Sequence, residues 1–116
     1  MTDTIQDRIA TLVKSTPVVL FMKGTPMFPQ CGFSSTAITI LDRLGVDLDS
    51  DAFQGVDVLA DPAIRQGVKE YSDWPTVPQL YIGGEFVGGS DIMMEMFQAG
   101  ELTAMLEQAG ISPPAA

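Results

Sequence analysis

The feature of this sequence that most limits its possible folds is an unbroken apolar run of five residues, Val18–Met22, directly after Pro17. The run is far too short to cross a bilayer, because a membrane-spanning helix needs about 20 apolar residues. Continuous apolar runs of this length are typical of β-strands that are buried on both faces. The sequence therefore predicts a strand inside the core of the protein.

A helix is predicted before this strand. Apolar residues recur at helical spacing over positions 5–13, which indicates one buried helix face. Asp3 is the predicted N-cap, with Gln6 three residues later in the position of a capping-box partner. The helix is expected to end near Lys14.

After the strand, the pattern alternates between helix and strand again. A loop with two prolines over residues 23–31 leads into a helix that ends at Gly45. The next signal is weaker, since acidic residues interleave with apolar ones in two possible registers, and we place a strand near residues 52–58. Another helix begins at Asp61, a cap that is followed by proline, and ends at Trp74.

The last third of the chain predicts a β-hairpin and two helices. Residues 78–82 and 85–87 form short strands joined by Gly83–Gly84, a pair that can adopt the positive φ angles of a tight turn. Gly100 and Gly110 end the two helices that follow. The order αβαβαββαα predicts an α/β protein with a four-stranded mixed sheet and helices on both faces, as in the thioredoxin-like fold.

Length and charge limit the organisation and the partners of the protein. The 116 residues suit a single domain, predicted over residues 1–110, with residues 111–116 as a flexible C-terminal tail. The formal net charge of -9 repels phosphate backbones and anionic lipids. We therefore expect no nucleic-acid partner and no membrane association. The start of the chain lacks the features of a targeting segment, so a cytoplasmic location is expected.

The counts of cysteine and histidine narrow the chemistry further. One cysteine excludes an intramolecular disulfide, and the chain contains no histidine. A zinc site of the usual Cys/His kind and a Ser-His or Cys-His catalytic pair are therefore excluded within one chain. Any metal bound through a cysteine must share its ligands with another molecule.

Cys31 is the candidate functional residue, because it ends the proline-containing loop and directly precedes a helix. Backbone N–H groups and the helix dipole at that position favour the thiolate, and Lys23 could add positive charge. The alternative is that a lone cysteine is a small apolar residue of the core. Its place between a proline-rich loop and Gly32 favours the reactive thiol.

Four ordered motifs resemble those of the CGFS-type monothiol glutaredoxins. They are Lys23–Pro26, Cys31–Ser34, Trp74–Gln79 and Gly88–Asp91. The similarity runs over residues 18–106, which is nearly the whole chain. Four motifs with compatible spacing are much more specific than any one of them.

Two features depart from the family pattern. Ser90 stands where many members of the family carry a second cysteine, so an auxiliary thiol is absent there. The segment Asp47–Gln54 also looks a few residues longer than usual, which leaves the register of the second strand open. In addition, Ser34 occupies the position at which a dithiol enzyme carries its resolving cysteine.

The resemblance implies that the protein binds glutathione. It places Lys23 and Arg65 beside the glycine carboxylate of glutathione, where charge-assisted hydrogen bonds are strong. The alternative for Arg65 is a solvated surface charge. The resemblance also implies a cis peptide bond before Pro78, with the backbone of Val77 pairing with the cysteinyl part of glutathione.

Ser90 and Asp91 complete the implied glutathione site at the start of a helix. The resemblance assigns their backbone donors to the γ-glutamyl carboxylate and the Asp91 side chain to the γ-glutamyl ammonium. Helix capping is the alternative role of both residues, and the two roles are compatible. Trp74 and Phe33 are interpreted as packing residues outside the site. Met93, Met94 and Met96 are interpreted as core and helix-face residues.

Two functions follow from the resemblance. In the first, Cys31 is a ligand of a [2Fe-2S] cluster that is carried and transferred in iron-sulfur cluster assembly. Four thiolates then come from two protomers and two glutathiones, so the holo form is a homodimer and the apo form a monomer. BolA-like proteins and iron-sulfur apo-proteins are the implied partners.

The alternative function is a glutathione-dependent thiol-disulfide oxidoreductase with Cys31 as the sole nucleophile. The resemblance favours the cluster carrier, because it associates the loop from Thr25 to Gln30 with cluster binding and poor reductase activity. Weak oxidoreductase activity is therefore the most that is expected.

Overall fold

The computed structural model describes residues 4–111 of the chain. Within these residues the order of the elements is αβαβαββαα, as predicted. The elements are α1 (Ile5–Ser15), β1 (Val18–Met22), α2 (Gly32–Arg43), β2 (Phe53–Asp57), α3 (Pro62–Ser72), β3 (Gln79–Ile82), β4 (Glu85–Gly88), α4 (Ser90–Ala99) and α5 (Glu101–Gln108).

The four strands form one mixed sheet in the order β2-β1-β3-β4. β1 pairs in parallel with β2 and antiparallel with β3, and β4 pairs antiparallel with β3. The predicted four-stranded mixed sheet of an α/β, thioredoxin-like fold is confirmed. In this topology the ends of β1, β2 and β4 and the beginning of β3 all lie at the same end of the sheet.

Two apolar clusters cover the two faces of the sheet. Every residue of β1 is buried, and successive residues alternate between the clusters. Leu20 packs in the cluster with residues of α2, α4 and α5, whereas Phe21 packs in the cluster with α1 and α3. The prediction that the Val18–Met22 run is buried on both faces is confirmed.

The start of α1 differs from the prediction. Thr4 is the N-cap, and its hydroxyl accepts a hydrogen bond from the N–H of Asp7, whose carboxylate in turn accepts one from the N–H of Thr4. Gln6 has another role, since its side chain donates to the carbonyl of Gly67 in α3 at 2.9 Å. The predicted cap, Asp3, lies outside the described residues.

The boundaries of β2 and α3 agree with the sequence patterns. β2 lies inside the predicted segment 52–58, and its register, left open by the sequence, pairs Val18 with Phe53. α3 begins as predicted, because the Asp61 carboxylate accepts hydrogen bonds from the N–H groups of Ala63 and Ile64. A cap of this kind stabilises a helix by about 1 kcal/mol.

The last described residues contribute to the apolar core. Ile111 packs against the core and donates its N–H to the carbonyl of Leu106. The remainder of the predicted tail, residues 112–116, lies outside the described residues.

In α4, Met93 is fully buried and Met96 packs against the core, while Met94 is exposed. Within residues 4–111, no helix is long and apolar enough to span a bilayer.

Candidate functional site

One cavity opens where the segments adjoining three strands meet the starts of two helices. Its volume is about 450 Å³, and its walls include every predicted glutathione-binding residue. Lys23 follows β1, Val77 precedes β3, and Ser90 and Asp91 follow β4, while Arg65 comes from the first turns of α3. Residues far apart in sequence therefore surround one space of the size typical of small-molecule sites.

Cys31 lies beside this cavity and is the N-cap residue of α2. Its Sγ accepts a hydrogen bond from the N–H of Ser34 at 3.3 Å. The thiol is partly exposed, and Phe33, two residues later, lines the cavity. The sulfur thus takes the place that a serine or aspartate oxygen usually occupies at a helix N-terminus.

Ser34 is the closest side-chain partner of the thiol, with its Oγ 3.3 Å from the Cys31 sulfur. Ser34 is fully buried, and the same oxygen accepts a hydrogen bond from the N–H of Lys23 at 3.0 Å. With that oxygen occupied as an acceptor, the Ser34 hydroxyl proton is directed to the sulfur when Cys31 is a thiolate. We predicted Ser34 only as the replacement of a resolving cysteine, and its role as a hydrogen-bond donor was missed.

These contacts lower the pKa of the Cys31 thiol below 9.0, its ordinary value. Burial is the largest single influence and raises the pKa. The Ser34 hydroxyl, the N–H groups of Ser34 and Phe33, and the positive charge of Lys23 act in the opposite direction and together outweigh burial. All of these groups stabilise a negative sulfur, so the arrangement favours the reactive, metal-binding form of cysteine.

Three of the six cations of this acidic chain line the cavity. Lys23 and Arg65 were predicted, and the third is Lys69, one helical turn after Arg65 in α3. The spacing of four residues on one helix face could have identified Lys69 from the sequence. Asp91 is the one acidic residue in the wall, so the cavity is locally cationic in a protein of net charge -9.

The segment Trp74–Pro78 forms one wall of the cavity. The peptide bond between Val77 and Pro78 is cis, as the resemblance implied. Trp74 was interpreted as a packing residue, but it lines the cavity and is 38% exposed, with its ring also packed at 6.0 Å from that of Phe86. Phe33 lines the cavity as well and is 65% exposed. Both aromatic residues therefore lie in the cavity wall, and Trp74 also packs against its neighbour.

The N-terminus of α4 forms the adjoining part of the wall, since a Cβ on Gly89 would lie 3.3 Å from the carbonyl oxygen of Pro78. Its N-cap is Gly89, which has no side chain to bond the first N–H groups of the helix. Ser90 and Asp91 are the first two residues of α4, and their backbone donors are therefore open to a ligand. Gly88 adopts a φ of +148°, and a Cβ at this position would lie 2.8 Å from the Cβ of Ile92. Only glycine allows this close approach of β4 to α4.

The loop before Cys31 is a closed turn rather than a loose segment. Thr25 and Phe28 exchange two backbone hydrogen bonds, and Gln30 donates to the carbonyl of Lys23 at 2.8 Å. The carboxylate of Asp57, at the end of β2, accepts a hydrogen bond from the N–H of Gly24 at 2.9 Å. Asp57 thereby fixes the turn to the end of the sheet, a contact that no local sequence pattern predicts.

The described residues contain no group of three or more Cys, His, Asp or Glu side chains that could hold a metal ion. Within residues 4–111, Cys31 is thus a single soft ligand without protein partners in the same chain. The sharing of a metal centre on this thiol with other molecules stays a prediction from the sequence.

The sheet topology, the thiol at a helix N-terminus and the adjacent cis-proline segment define a thiol protein of the thioredoxin-like class. The glutaredoxin family model matches residues 18–87. The chain belongs to this family and, by its relatives, to the monothiol glutaredoxins. It is 58% identical over 102 residues to an uncharacterized monothiol glutaredoxin of Synechocystis, covering 88% of this chain and 91% of that protein.

Solved structures give the same result. A monomeric truncated mutant of 1-C-Grx1 from Trypanosoma brucei matches with a TM-score of 0.82 and 41% identity, covering all of both chains. A buckwheat glutaredoxin, solved as a complex with glutathione, matches with a TM-score of 0.79 and 29% identity, covering 93% of each chain.

Proposed function

We propose that this protein binds glutathione in the cavity and uses it, together with Cys31, to carry a [2Fe-2S] cluster between proteins. The observation that carries the proposal is a single thiol with a lowered pKa beside a cationic cavity of about 450 Å³. The solved glutathione complex of the buckwheat relative supports the choice of ligand.

Charge complementarity supports glutathione as the occupant. The tripeptide has two carboxylates and one ammonium group, and the cavity wall has three cations and one acidic side chain. Lys23, Arg65 and Lys69 attract the glycine carboxylate through charge-assisted hydrogen bonds. The backbone of Val77 pairs with the cysteinyl residue as an added strand would.

The γ-glutamyl end of glutathione is assigned to the start of α4. The backbone donors of Ser90 and Asp91 receive its carboxylate, which the helix dipole also favours. The Asp91 carboxylate receives its ammonium group. This orientation brings the glutathione sulfur to the side of the cavity where Cys31 lies.

The cluster is the cargo in this proposal. Thiolates are the preferred ligands of iron-sulfur clusters, and each protomer supplies Cys31 and one bound glutathione. Four thiolates are complete only when two protomers and two glutathiones meet. The holo protein is therefore a dimer, the apo protein is a monomer, and loss of the non-covalently held glutathione releases the cluster to a recipient.

The decisive experiment is reconstitution without oxygen, in the presence and absence of glutathione. Visible absorption, with iron, sulfide and glutathione assays, measures the cluster, and size-exclusion chromatography with light scattering measures the mass. We expect a coloured dimer only when glutathione is present, and a colourless monomer otherwise. A dimer that persists without cluster, or a stable cluster in a glutathione-free monomer, would show that the shared-ligand arrangement is wrong.

The lowered pKa of Cys31 also favours the second candidate, removal of glutathione from protein thiols. The Cys31 thiolate attacks the glutathione sulfur of the mixed disulfide, and the target leaves as a thiolate that takes up a proton. A second glutathione thiolate then attacks the Cys31-bound glutathione, which releases glutathione disulfide and restores the Cys31 thiolate. Turnover of a glutathionylated peptide by the colourless monomer would identify this activity.

A further inference from the structure

Gln79, the first residue of β3, is a fully buried polar side chain directly behind the cavity wall. Its Nε2 donates to the carbonyl of Trp74 at 3.2 Å and to the carbonyl of Thr76 at 3.1 Å. Its Oε1 accepts a hydrogen bond from the hydroxyl of Tyr81 at 3.4 Å. Both amide protons of this buried group are thus used on the segment that precedes Val77.

The wall segment needs such support because of its composition. Pro75 and Pro78 have no backbone N–H, so two of its donors are missing. A buried side-chain amide can supply donors that the backbone lacks, and a buried amide without partners would be costly. The two bonds from Gln79 reach the residues on each side of Pro75 and thereby fix the course of the chain up to Val77.

We propose that Gln79 is a positioning residue for glutathione. It holds Trp74 and Thr76 so that the Trp74 ring and the Val77 backbone face the cavity, although Gln79 itself does not line the cavity. This inference rests on the proposed function in one respect, namely that glutathione occupies the cavity. Its structural part, the fixation of the Trp74–Val77 wall by one side chain, is independent of the ligand.

The test compares Gln79→Met with Tyr81→Phe. Methionine keeps the length and burial of the side chain but removes both donors to the wall. Phenylalanine removes the hydroxyl on the other side of Gln79 and leaves the donors in place. Because the chain has one tryptophan, its fluorescence reports on the wall directly.

For Gln79→Met we expect a red-shifted Trp74 emission, stronger quenching by acrylamide, and glutathione affinity at least tenfold weaker by calorimetry. For Tyr81→Phe we expect wild-type emission and an affinity within twofold of wild type. Circular dichroism melting of both variants separates a released wall from an unfolded protein, since a core defect alone would lower the melting temperature without a selective effect on Trp74.

A measurement on the wild type covers the case in which Gln79→Met does not fold. The side-chain amide protons of Gln79 should exchange slowly in NMR spectra, and more slowly still with glutathione bound. Exchange at the rate of an exposed amide overturns the proposal, as does wild-type quenching and affinity in a folded Gln79→Met. If wild type does not bind glutathione, the proposed function fails, and the fluorescence and exchange measurements still test whether Gln79 fixes the wall. Equal binding by wild type and variant defeats only the inference.

Discussion

Two helix N-termini face the same cavity, and they are capped in opposite ways. α2 begins after Cys31, whose sulfur accepts a hydrogen bond from the N–H of Ser34, so this terminus is capped by a side chain of the protein itself. α4 begins after Gly89, which has no side chain, so its first donors are left for an anion from outside. Both caps have extended backbone, and the difference lies in the side chain alone.

The comparison shows that the N-terminus of a helix has two roles in this cavity. The partial positive charge of a helix N-terminus stabilises a thiolate at α2 and is available to a carboxylate at α4. The closed turn before Cys31 and the Gly88–Gly89 pair bring the two termini to one cavity. Reactivity and ligand recognition are thereby separated, so each can be altered by its own substitution.

The largest expected effect comes from removing the thiol at the start of α2. Cys31→Ser should abolish cluster binding and alkylation by iodoacetamide, because no other thiol exists in the chain. Serine is a preferred N-cap residue, so the melting temperature should not fall. Iron and sulfide assays, mass spectrometry of the alkylated protein and thermal melting measure the three outcomes. Cluster binding at wild-type yield would remove Cys31 from the site.

The second effect tests the cations of the cavity wall, which are assigned to the other carboxylate of glutathione. Arg65→Glu should weaken glutathione binding by about 1 to 3 kcal/mol, since a charge-assisted hydrogen bond is replaced by repulsion. The loss should diminish at high salt, because exposed charges are screened. Calorimetry at two salt concentrations measures it, with Lys14→Glu as a matched charge control on α1, which does not line the cavity. Equal losses in both variants would contradict a specific role of Arg65.

The third prediction concerns the N-terminus of α4, which no side chain caps. Gly89→Asp should weaken glutathione binding about tenfold, because its own carboxylate would then accept the first N–H groups of α4 and repel the ligand. A Cβ at this position lies 3.3 Å from the carbonyl oxygen of Pro78, so Gly89→Ala is the matched control for that contact. If the two variants bind equally well, the open donors of α4 do not receive a carboxylate.

The smallest effect concerns the proton equilibrium at α2. Ser34→Ala should raise the pKa of Cys31, because it removes the hydroxyl that stabilises the thiolate. The rate of alkylation as a function of pH measures this pKa. Wild type should show a midpoint below 9.0 and Ser34→Ala a higher one, while Ser35→Ala, an exposed neighbour, should match wild type. An unchanged midpoint in Ser34→Ala would show that the Ser34 hydroxyl does not lower the pKa of Cys31.

The same lowered pKa makes stability depend on pH. In the unfolded chain the thiol titrates near its ordinary value of 9.0, and in the folded chain it titrates lower. Between the two values the unfolded state binds more protons, so the free energy of unfolding rises with pH through this window. The contribution is present above 9.0 and is lost as the pH falls through the folded pKa. Denaturation of wild type against Cys31→Ser across this range isolates it.

The sequence predicted best those helices, strands and turns that are determined by a short stretch of neighbouring residues. The Val18–Met22 run, the Asp61 cap with its following proline, and the Gly83–Gly84 turn each predict structure without help from the rest of the chain. The cap of α1 shows the limit of such signals, because Asp3 and Thr4 are both good caps. Thr4 is the cap because Asp7, at the third helical position, completes a capping box with it.

The parts of the site that were missed depend on contacts across the fold. Asp57 accepts a hydrogen bond from the N–H of Gly24, 33 positions away. The role of Gln79 follows only from its position behind the cavity wall, where its side chain donates to the carbonyl of Trp74. Trp74 was interpreted as packing because composition favours that role, and its actual exposure depends on where the segment lies. The family resemblance named Lys23, Arg65, Val77, Ser90 and Asp91 in advance, and all five line the cavity.

The cavity wall draws on segments from Lys23 to Ile92 that adjoin three of the four strands, so it exists only when those three strands are paired. Opening of any one of these segments destroys the site. Glutathione therefore binds, and stabilises, only the state of the protein in which the cavity is complete. At a ligand concentration one hundred times the Kd, this linkage is worth about 2.7 kcal/mol. Proteases that cleave transiently opened chains act in proportion to the open population. By this argument, a higher concentration of glutathione lowers the open population and slows such cleavage.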